Sequence, residues 1–402
     1  MTKTAIKSRI RTKVNMEYTI PARQLNVIER VRTFVKERLD PISTQVEKEG
    51  KIPEEIVEEM RLLGLFGLSI PEKYGGIGLS TLSEVLVYEE MTRANASFRS
   101  RIGTNNGIGS MGILFDGTEE QKRKYLPRIA SGQSTAAFAL TEPNAGSDAA
   151  QISTNAVLQG DFWILNGTKL FITNGGCSDI FTTIAVTDEN KRTRGGFTAF
   201  IIESDMPGFT VGKPDQKMGM HGTLTNELIF RNCRIPKENV IGGMRMVGQG
   251  FRTAMRVLDK GRLTIGAAAL GASQKLLELC IQRLKSEMES RVSADELQSS
   301  QFTLADMATE IYAARQMLYH SAWLRDQGNN VVHEASMVKL FCTETASRIA
   351  DRAMDIFEDD GYLKKSLIEM YLRDVRLYRI FEGTSEIQRL IISRNLLERL
   401  PS

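Results

Sequence analysis

One block of β-type sequence sits between two long stretches of helical periodicity, and that change of period limits the folds open to this chain. From residue 135 to 244 the apolar residues gather in short runs at 136–140, 156–158, 162–165, 169–172, 181–186, 197–202 and 227–230. Turn signals at Asn166-Gly167, Asn174-Gly175-Gly176, Gly195-Gly196 and Pro207-Gly208 separate them, which predicts a compact β-barrel or sandwich. On the N-terminal side, apolar residues return every three or four positions over 22–39, 53–63, 81–95 and 119–130, with loops expected at 70–76 and in the glycine-rich 102–112. On the C-terminal side the same period fills 249–287, 296–325, 330–357, 364–379 and 384–399, as in an antiparallel bundle. The expectation is an α+β chain with a basic tail (1–20), an N-terminal helical domain (21–134), a middle β-domain (135–244) and a C-terminal helical bundle (245–402).

With 402 residues there is chain enough for more than one hydrophobic core, and 42% hydrophobic with 25% charged residues is ordinary for a globular protein. A net charge of +3 gives no reason to expect nucleic acid, and no apolar run approaches the ~18 residues of a membrane span. Cys177, Cys233, Cys280 and Cys342 are widely spaced, with no Cys-x-x-Cys pair, and read as reduced thiols in a cytoplasmic setting. His221 stands far from His320 and His333, so no metal set is expected. The methionines at 244 and 246 read as packing. Lys3, Lys7, Arg9, Arg11 and Lys13 precede the first acid, Glu17, and read as a disordered basic tail with a faint likeness to a transit peptide.

Chemistry concentrates in four segments. Near the C-terminus, Glu382 is flanked by Ile380 and Phe381 and followed by Gly383 and Thr384, where one helical pattern stops and the next begins. A carboxylate desolvated at such a junction has its pKa raised, which suits a general base beside a carbonyl. The middle block opens with Phe138-Ala139-Leu140-Thr141-Glu142-Pro143-Asn144-Ala145-Gly146-Ser147-Asp148, a strand end and turn rich in backbone N–H groups and hydroxyls. Leu165-Asn166-Gly167-Thr168-Lys169-Leu170-Phe171-Ile172-Thr173-Asn174 follows. At the start of the bundle, Asp259 and Arg262 share one helix face at i, i+3, as a surface ion pair would.

Taken together, Arg373-Asp374…Ile380-Phe381-Glu382-Gly383-Thr384-Ser385-Glu386-Ile387-Gln388, Leu140-Thr141-Glu142-Pro143…Ala145-Gly146-Ser147-Asp148 and Asn166-Gly167…Lys169…Phe171-Ile172-Thr173 resemble the signatures of the acyl-CoA dehydrogenases, and the likeness runs over nearly the whole chain beyond the tail. The resemblance implies that Glu382 removes the α-proton of an acyl thioester while the β-hydrogen leaves as hydride to FAD. It implies flavin contacts from Phe138, Leu140, Thr141, Ser147, Phe171, Thr173, Thr384 and Glu386, and thioester contacts from Ser147, Asp259 and Arg262. Some relatives carry the base just before the arginine; Gly261 occupies that place, leaving Glu382. Arg99 matches an arginine that meets a distal carboxylate in glutaryl-CoA dehydrogenases, which implies a short or carboxylated acyl group; the alternative is a solvated arginine. Implied partners are acyl-CoA, an electron-transfer flavoprotein or similar acceptor, and three further copies in a homotetramer.

Two segments depart from the resemblance. Where relatives show Arg-x-x-Phe-Gly this chain has Glu287-Met288-Glu289-Ser290-Arg291, and where they show Gln-x-x-Gly-Gly-x-Gly it has Asp355-Ile356-Phe357-Glu358-Asp359-Asp360-Gly361. These elements grip the pyrophosphate of a neighbouring subunit's FAD in the family, and new acids there oppose it, unless Arg283, Lys285, Arg291, Lys364 and Lys365 compensate. That leaves two alternatives open: an FAD-poor or non-redox thioester-binding subunit of a hetero-oligomer, and a dehydrogenase whose acyl group rides on a carrier protein.

Overall fold

The computed structural model describes residues 18–289, 294–364 and 366–399. The basic tail, Ser290, Arg291 and Lys365 lie outside the described residues, apart from Tyr18, Thr19 and Ile20 at the tail's end. Seven helices come first: α1 (Ala22–Phe34), α2 (Ser43–Glu49), α3 (Glu54–Leu62), α4 (Thr81–Met91), α5 (Ala96–Asn106), α6 (Ile108–Asp116) and α7 (Glu119–Ala130). Their starts follow from the sequence. Ser80 and Asn95 cap α4 and α5 with their side chains, and Thr118 with Gln121 closes a capping box on α7.

The glycine-rich 102–112 stretch, expected as a loop, is helical through the end of α5 and into α6. Its glycines serve close packing. A Cβ on Gly109 would lie 2.5 Å from the Ala136 carbonyl oxygen, and one on Gly112 would lie 3.1 Å from Thr182. Helix propensity lost at each glycine, up to ~1 kcal/mol, is outweighed by seating α6 directly against the sheet.

That sheet contains β1 (Ala136–Ala139), β2 (Asn155–Gln159), β3 (Phe162–Thr173), β4 (Ile180–Val186), β5 (Phe197–Glu203), β6 (Phe209–Pro214) and β7 (Thr225–Pro236), in the order β1-β4-β2-β3-β7-β6 with β5 on β4. β1 runs parallel to β4, from Ala136 opposite Ile180 to Ala139 opposite Thr183. The runs at 162–165 and 169–172 are one bent strand. Asn166-Gly167 forms a bulge in it and not a hairpin turn, because β7 pairs with both halves across register shifts. β6 was not expected, since its Thr-Val-Gly-Lys pattern is largely polar and none of its residues is fully buried.

The chain then forms α8 (Gly250–Glu289), α9 (Ala294–Asp326), α10 (Val332–Phe357), α11 (Leu367–Tyr378) and α12 (Ser385–Arg399). At 40 residues α8 spans roughly 60 Å, long enough to run from the sheet to the far end of the bundle. Three buried apolar clusters hold these parts together. One joins the first helices to the bundle, one seats α6, α7 and the start of α8 on β1, β4 and β5, and one fills the sheet's other face around Trp163, Phe181, Phe200 and Phe230. No helix among the described residues is long and apolar enough to cross a membrane.

Candidate active site

Glu382 lies in the tight turn between α11 and α12 with φ +54°, and Gly383 follows at φ +90°. Two consecutive residues in the left-handed region reverse the chain sharply, and glycine takes the second position without steric cost. The turn is fastened by its backbone. Lys339 Nζ donates to the Gly383 carbonyl at 2.7 Å, Gln388 Nε2 donates to the same oxygen at 3.0 Å, and Ser385 N donates to Arg379 O at 3.1 Å.

The glutamate side chain is left free to act. Although the residue as a whole is partly exposed, Oε2 is sealed from solvent and has no hydrogen-bond partner. It presses on Gly261 of α8, where an added Cβ would fall 2.8 Å from the Glu382 carboxyl carbon and closer still to Oε2. The position at which some relatives carry the base and the position of Glu382 are therefore the same place in space. Burial raises the Glu382 pKa above the ordinary carboxylate range, and the charges of Arg99, Lys339 and Arg262 partly offset the rise. Lys339, itself buried, is lowered to about 8 by that burial, against the pull of Glu382.

The two middle-block segments are stitched to each other. Leu170 N donates to Thr141 O at 2.8 Å, and Lys169 Nζ donates to Leu140 O at 3.1 Å and to Glu142 Oε1 at 2.7 Å. Glu142 also accepts from Ser153 N, Ser153 Oγ and Thr154 N. Burial alone would push Glu142 up, but the Lys169 charge and these bonds outweigh it and hold the carboxylate at about 2. Burial, only partly offset by Glu142, lowers Lys169 to about 8. Leaving one partner of such a pair alone costs about 3–5 kcal/mol, so the pair fixes both segments.

Phe138 and Leu140 are buried at the end of β1, Thr141 and Thr173 are half-buried, and Ser147 is exposed on its turn. Phe171 is 64% exposed at φ +58°, a conformation a bulky residue adopts only where its surroundings impose it. Asn174, at the end of β3, donates to the carbonyls of Ser100 and Arg101, which ties this strand to α5. Thr384 Oγ1 accepts from Ile387 N and caps α12, while Glu386 is exposed beyond it.

Asp259 and Arg262 pair at 2.6 Å, but not on the surface: Arg262 is buried and its Nε has no partner. Arg99 is likewise no solvated arginine. It is buried at the start of α5, donates to Thr264 Oγ1 at 2.7 Å, and lies 4.9 Å over the Tyr88 ring. The segment carrying it is helix from Ala96 onward. Lys339, Thr264, Tyr88 and the Glu142–Lys169 pair were not singled out by sequence. The two members of that pair carried a signal, Glu142 through its place in Leu-Thr-Glu-Pro and Lys169 through Asn-Gly-x-Lys.

At the far end of α8, the acids of the two departing segments meet one cation. Arg283 Nε contacts Glu287 at 2.5 Å while its Nη1 reaches Asp360 at 3.1 Å, so this arginine compensates these two acids only in part, one cation against two carboxylates. Glu358 stands at φ 49°, ψ −131°, a backbone region that only glycine enters readily. The turn has kept a glycine's shape under an acidic side chain.

Three family descriptions match most of the chain: "Acyl-CoA dehydrogenase, N-terminal domain" over residues 21–133, the middle domain over 137–233 and the C-terminal domain over 248–397. An acyl-CoA dehydrogenase of Bacillus subtilis (strain 168) is 41% identical over 374 residues, covering 93% of this chain and 98% of that protein. A 3-(aryl)acrylate reductase of Clostridium sporogenes is 39% identical over 367 residues, covering 91% of this chain and 96% of that one. Among solved structures, butyryl-CoA dehydrogenase from Megasphaera elsdenii superposes with a TM-score of 0.89 at 35% identity, over 95% of this chain and all of that one (100%).

Proposed function

The chain belongs to the acyl-CoA dehydrogenase family, and from that premise we propose that it catalyses the FAD-dependent α,β-dehydrogenation of a short acyl-CoA thioester. The observation that carries the reading is Glu382 Oε2, sealed, unpartnered and pressed on Gly261, on a carboxylate within the field of Arg99, Lys339 and Arg262.

In this reading Glu382 accepts the α-proton. Its raised pKa keeps proton transfer from the weakly acidic α-carbon closer to balance than an ordinary carboxylate would. The three cations stabilise the negative charge that moves onto the thioester enolate, and Lys339 and Gln388 hold the turn so that the carboxylate does not retreat. Bound FAD supplies the acceptor for the β-hydride, and the product is a trans-2-enoyl thioester. The residues present fit the flavin's ring end: the exposed Phe171 ring and the hydroxyls of Thr141 and Thr173 lie on the two stitched segments, with Phe138, Leu140, Ser147, Thr384 and Glu386 completing the proposed set. Asp259, Arg262 and Ser147 are assigned to the CoA and thioester portion, and Arg99 to the acyl end. An electron-transfer flavoprotein or similar acceptor, a homotetrameric assembly and a cytoplasmic location complete the proposal. Free Cys177, Cys233, Cys280 and Cys342 support a reducing setting.

The acidic turn favours a second reading, a thioester-binding subunit poor in FAD, because Glu287 and Asp360 share Arg283 while Glu358 and Asp359 have no ion pair among the described residues. Flavin content separates the two. Purified protein should be yellow and should bleach anaerobically with butyryl-CoA. A colourless preparation that takes up no added FAD would refute dehydrogenation and leave the second reading.

A further inference from the structure

The turn that carries the candidate base has little apolar burial to hold it. None of residues 379–384 is fully buried, and Ile380 is exposed. Its tip is nonetheless kept in a conformation that a free chain would leave, for Glu382 has a positive φ without being glycine. Such a conformer persists only where its surroundings over-determine it. Part of that restraint acts on the tip, where Lys339 and Gln388 hold the Gly383 carbonyl. The rest acts on the two arms. Glu344 of α10 accepts from Arg379 Nε at 3.0 Å and from Ser385 Oγ at 2.5 Å through one oxygen, Oε1, while its Oε2 meets Arg379 Nη2 at 2.9 Å. Arg379 and Ser385 stand three residues before and three residues after Glu382.

One carboxylate thus spans the mouth of the turn. A two-point arginine contact fixes direction as well as distance, and Ser385 N donates to Arg379 O at 3.1 Å, so the arms are joined both directly and through Glu344. Burial raises the Glu344 pKa, but the bonds from Ser385 and Arg379 outweigh it and hold the carboxyl below the ordinary range. Glu344 is therefore ionised at every pH at which the raised Glu382 is. The charges that act on the Glu382 carboxylate are those of Arg99, Lys339 and Arg262, so Glu344 reaches the base through the backbone of the turn and not through its own field. Resting on the dehydrogenase reading above, we propose that Glu344 is a positioning residue for the reaction: it clamps both arms of the turn and keeps the Glu382 carboxylate in its sealed place against Gly261.

The test follows flavin reduction by butyryl-CoA in stopped flow on the flavin-loaded enzyme. It compares the parent with Glu344→Ala and with the double variant Arg379→Ala, Ser385→Ala, which opens the same clamp but leaves the Glu344 charge in place and carries the test where Glu344→Ala does not fold. Each is expected to lose about 100-fold in the limiting rate constant, as a reacting group misplaced by about 1 Å does, with the half-saturating thioester concentration within about threefold of the parent's. The triple variant should lose no more than either, because both break one unit. A carboxylate released toward water loses the burial that raises its pKa, so the acid limb of kcat/KM should move to lower pH in both variants. A first-order rate constant does not change with the amount of folded enzyme, and a clamp that served stability alone would move neither the constant nor the limb. Rate constants within threefold of the parent's, a loss confined to thioester affinity, or an unmoved acid limb would overturn the inference while leaving dehydrogenation standing. Failure of butyryl-CoA to bleach the parent's flavin would instead bring down the dehydrogenase reading and this inference with it.

Discussion

Replacing Gly261 with alanine should separate activity from stability, moving them in opposite directions. The added Cβ would stand 2.8 Å from the Glu382 carboxyl carbon, whereas carbon atoms in contact settle at about 3.5–4.0 Å, so the carboxylate must retreat by about 1 Å. A misplacement of that size at a reacting group costs about 100-fold in rate, or ~2.7 kcal/mol of transition-state stabilisation. The backbone has no reason to object. Gly261 is in the interior of α8, where alanine is favoured over glycine by up to ~1 kcal/mol, and the atom displaced is the end of a flexible side chain. Gly261→Ala is therefore expected to unfold at an equal or higher temperature than the parent and to turn over about 100-fold more slowly, with flavin content unchanged. Thermal denaturation followed by far-UV circular dichroism measures the first quantity, and stopped-flow reduction of the flavin by substrate the second. Turnover within threefold of the parent would show that Glu382 does not act from the place where its carboxylate rests.

Glu382→Gln keeps the side chain's shape and removes its basicity, so flavin reduction should fall by about 10²–10⁴-fold while the protein remains folded and coloured, as absorbance at 450 nm would record. Because burial raises the Glu382 pKa, the acid limb of a kcat/KM profile should lie above the ordinary carboxylate value of 4.5, with activity lost as pH falls through it; a limb at or below 4.5 would contradict a desolvated base. Asp374, fully buried in α11 and raised to about 7 by burial and by Glu47, binds its proton more tightly folded than unfolded. Its contribution to stability is present below pH 3.8 and is lost as pH rises through about 7, a loss of a few kcal/mol that urea titrations at pH 5 and 8 should detect and Asp374→Asn should remove. Glu358→Gly should relieve backbone strain of about 1–3 kcal/mol and raise the melting temperature, and an unchanged or lower one would refute the strain.

The alternation of helix, sheet and helix was legible because each zone keeps one hydrophobic period over many residues. What misled were residues serving two ends at once. The glycines of 102–112 look like a loop because glycine is a poor helix former, yet Gly109 and Gly112 are needed to bring α6 onto β1 and β4. Asn166-Gly167 has the composition of a hairpin turn and forms a bulge, since register with β7 over twelve residues outweighs local turn preference. At the site, Glu382 could be found because flanking apolar residues signal its desolvation. The ring of charges around it could not. Arg99, Arg262 and Lys339 come from α5, α8 and α10, and Arg262 with Asp259 has the spacing of a solvated pair; only packing buries it. Glu344 and Arg379 are 35 residues apart, and nothing in either neighbourhood announces the other.

The contact between Gly261 and Glu382 also constrains how this catalytic apparatus is able to change. The pocket has room for one carboxylate, reachable from α8 or from the turn after α11, so the two positions are alternatives joined by a pair of substitutions. With Glu382 as the proposed base, a first step taken alone either removes it or forces two carboxylates into one volume, where like charges at contact leave one of them protonated and displaced. Neither intermediate keeps the reaction running. The proposed base is thus confined to its present segment by the absence of a working neighbour in sequence space, and a side chain as small as a methyl group at residue 261 is enough to close the passage.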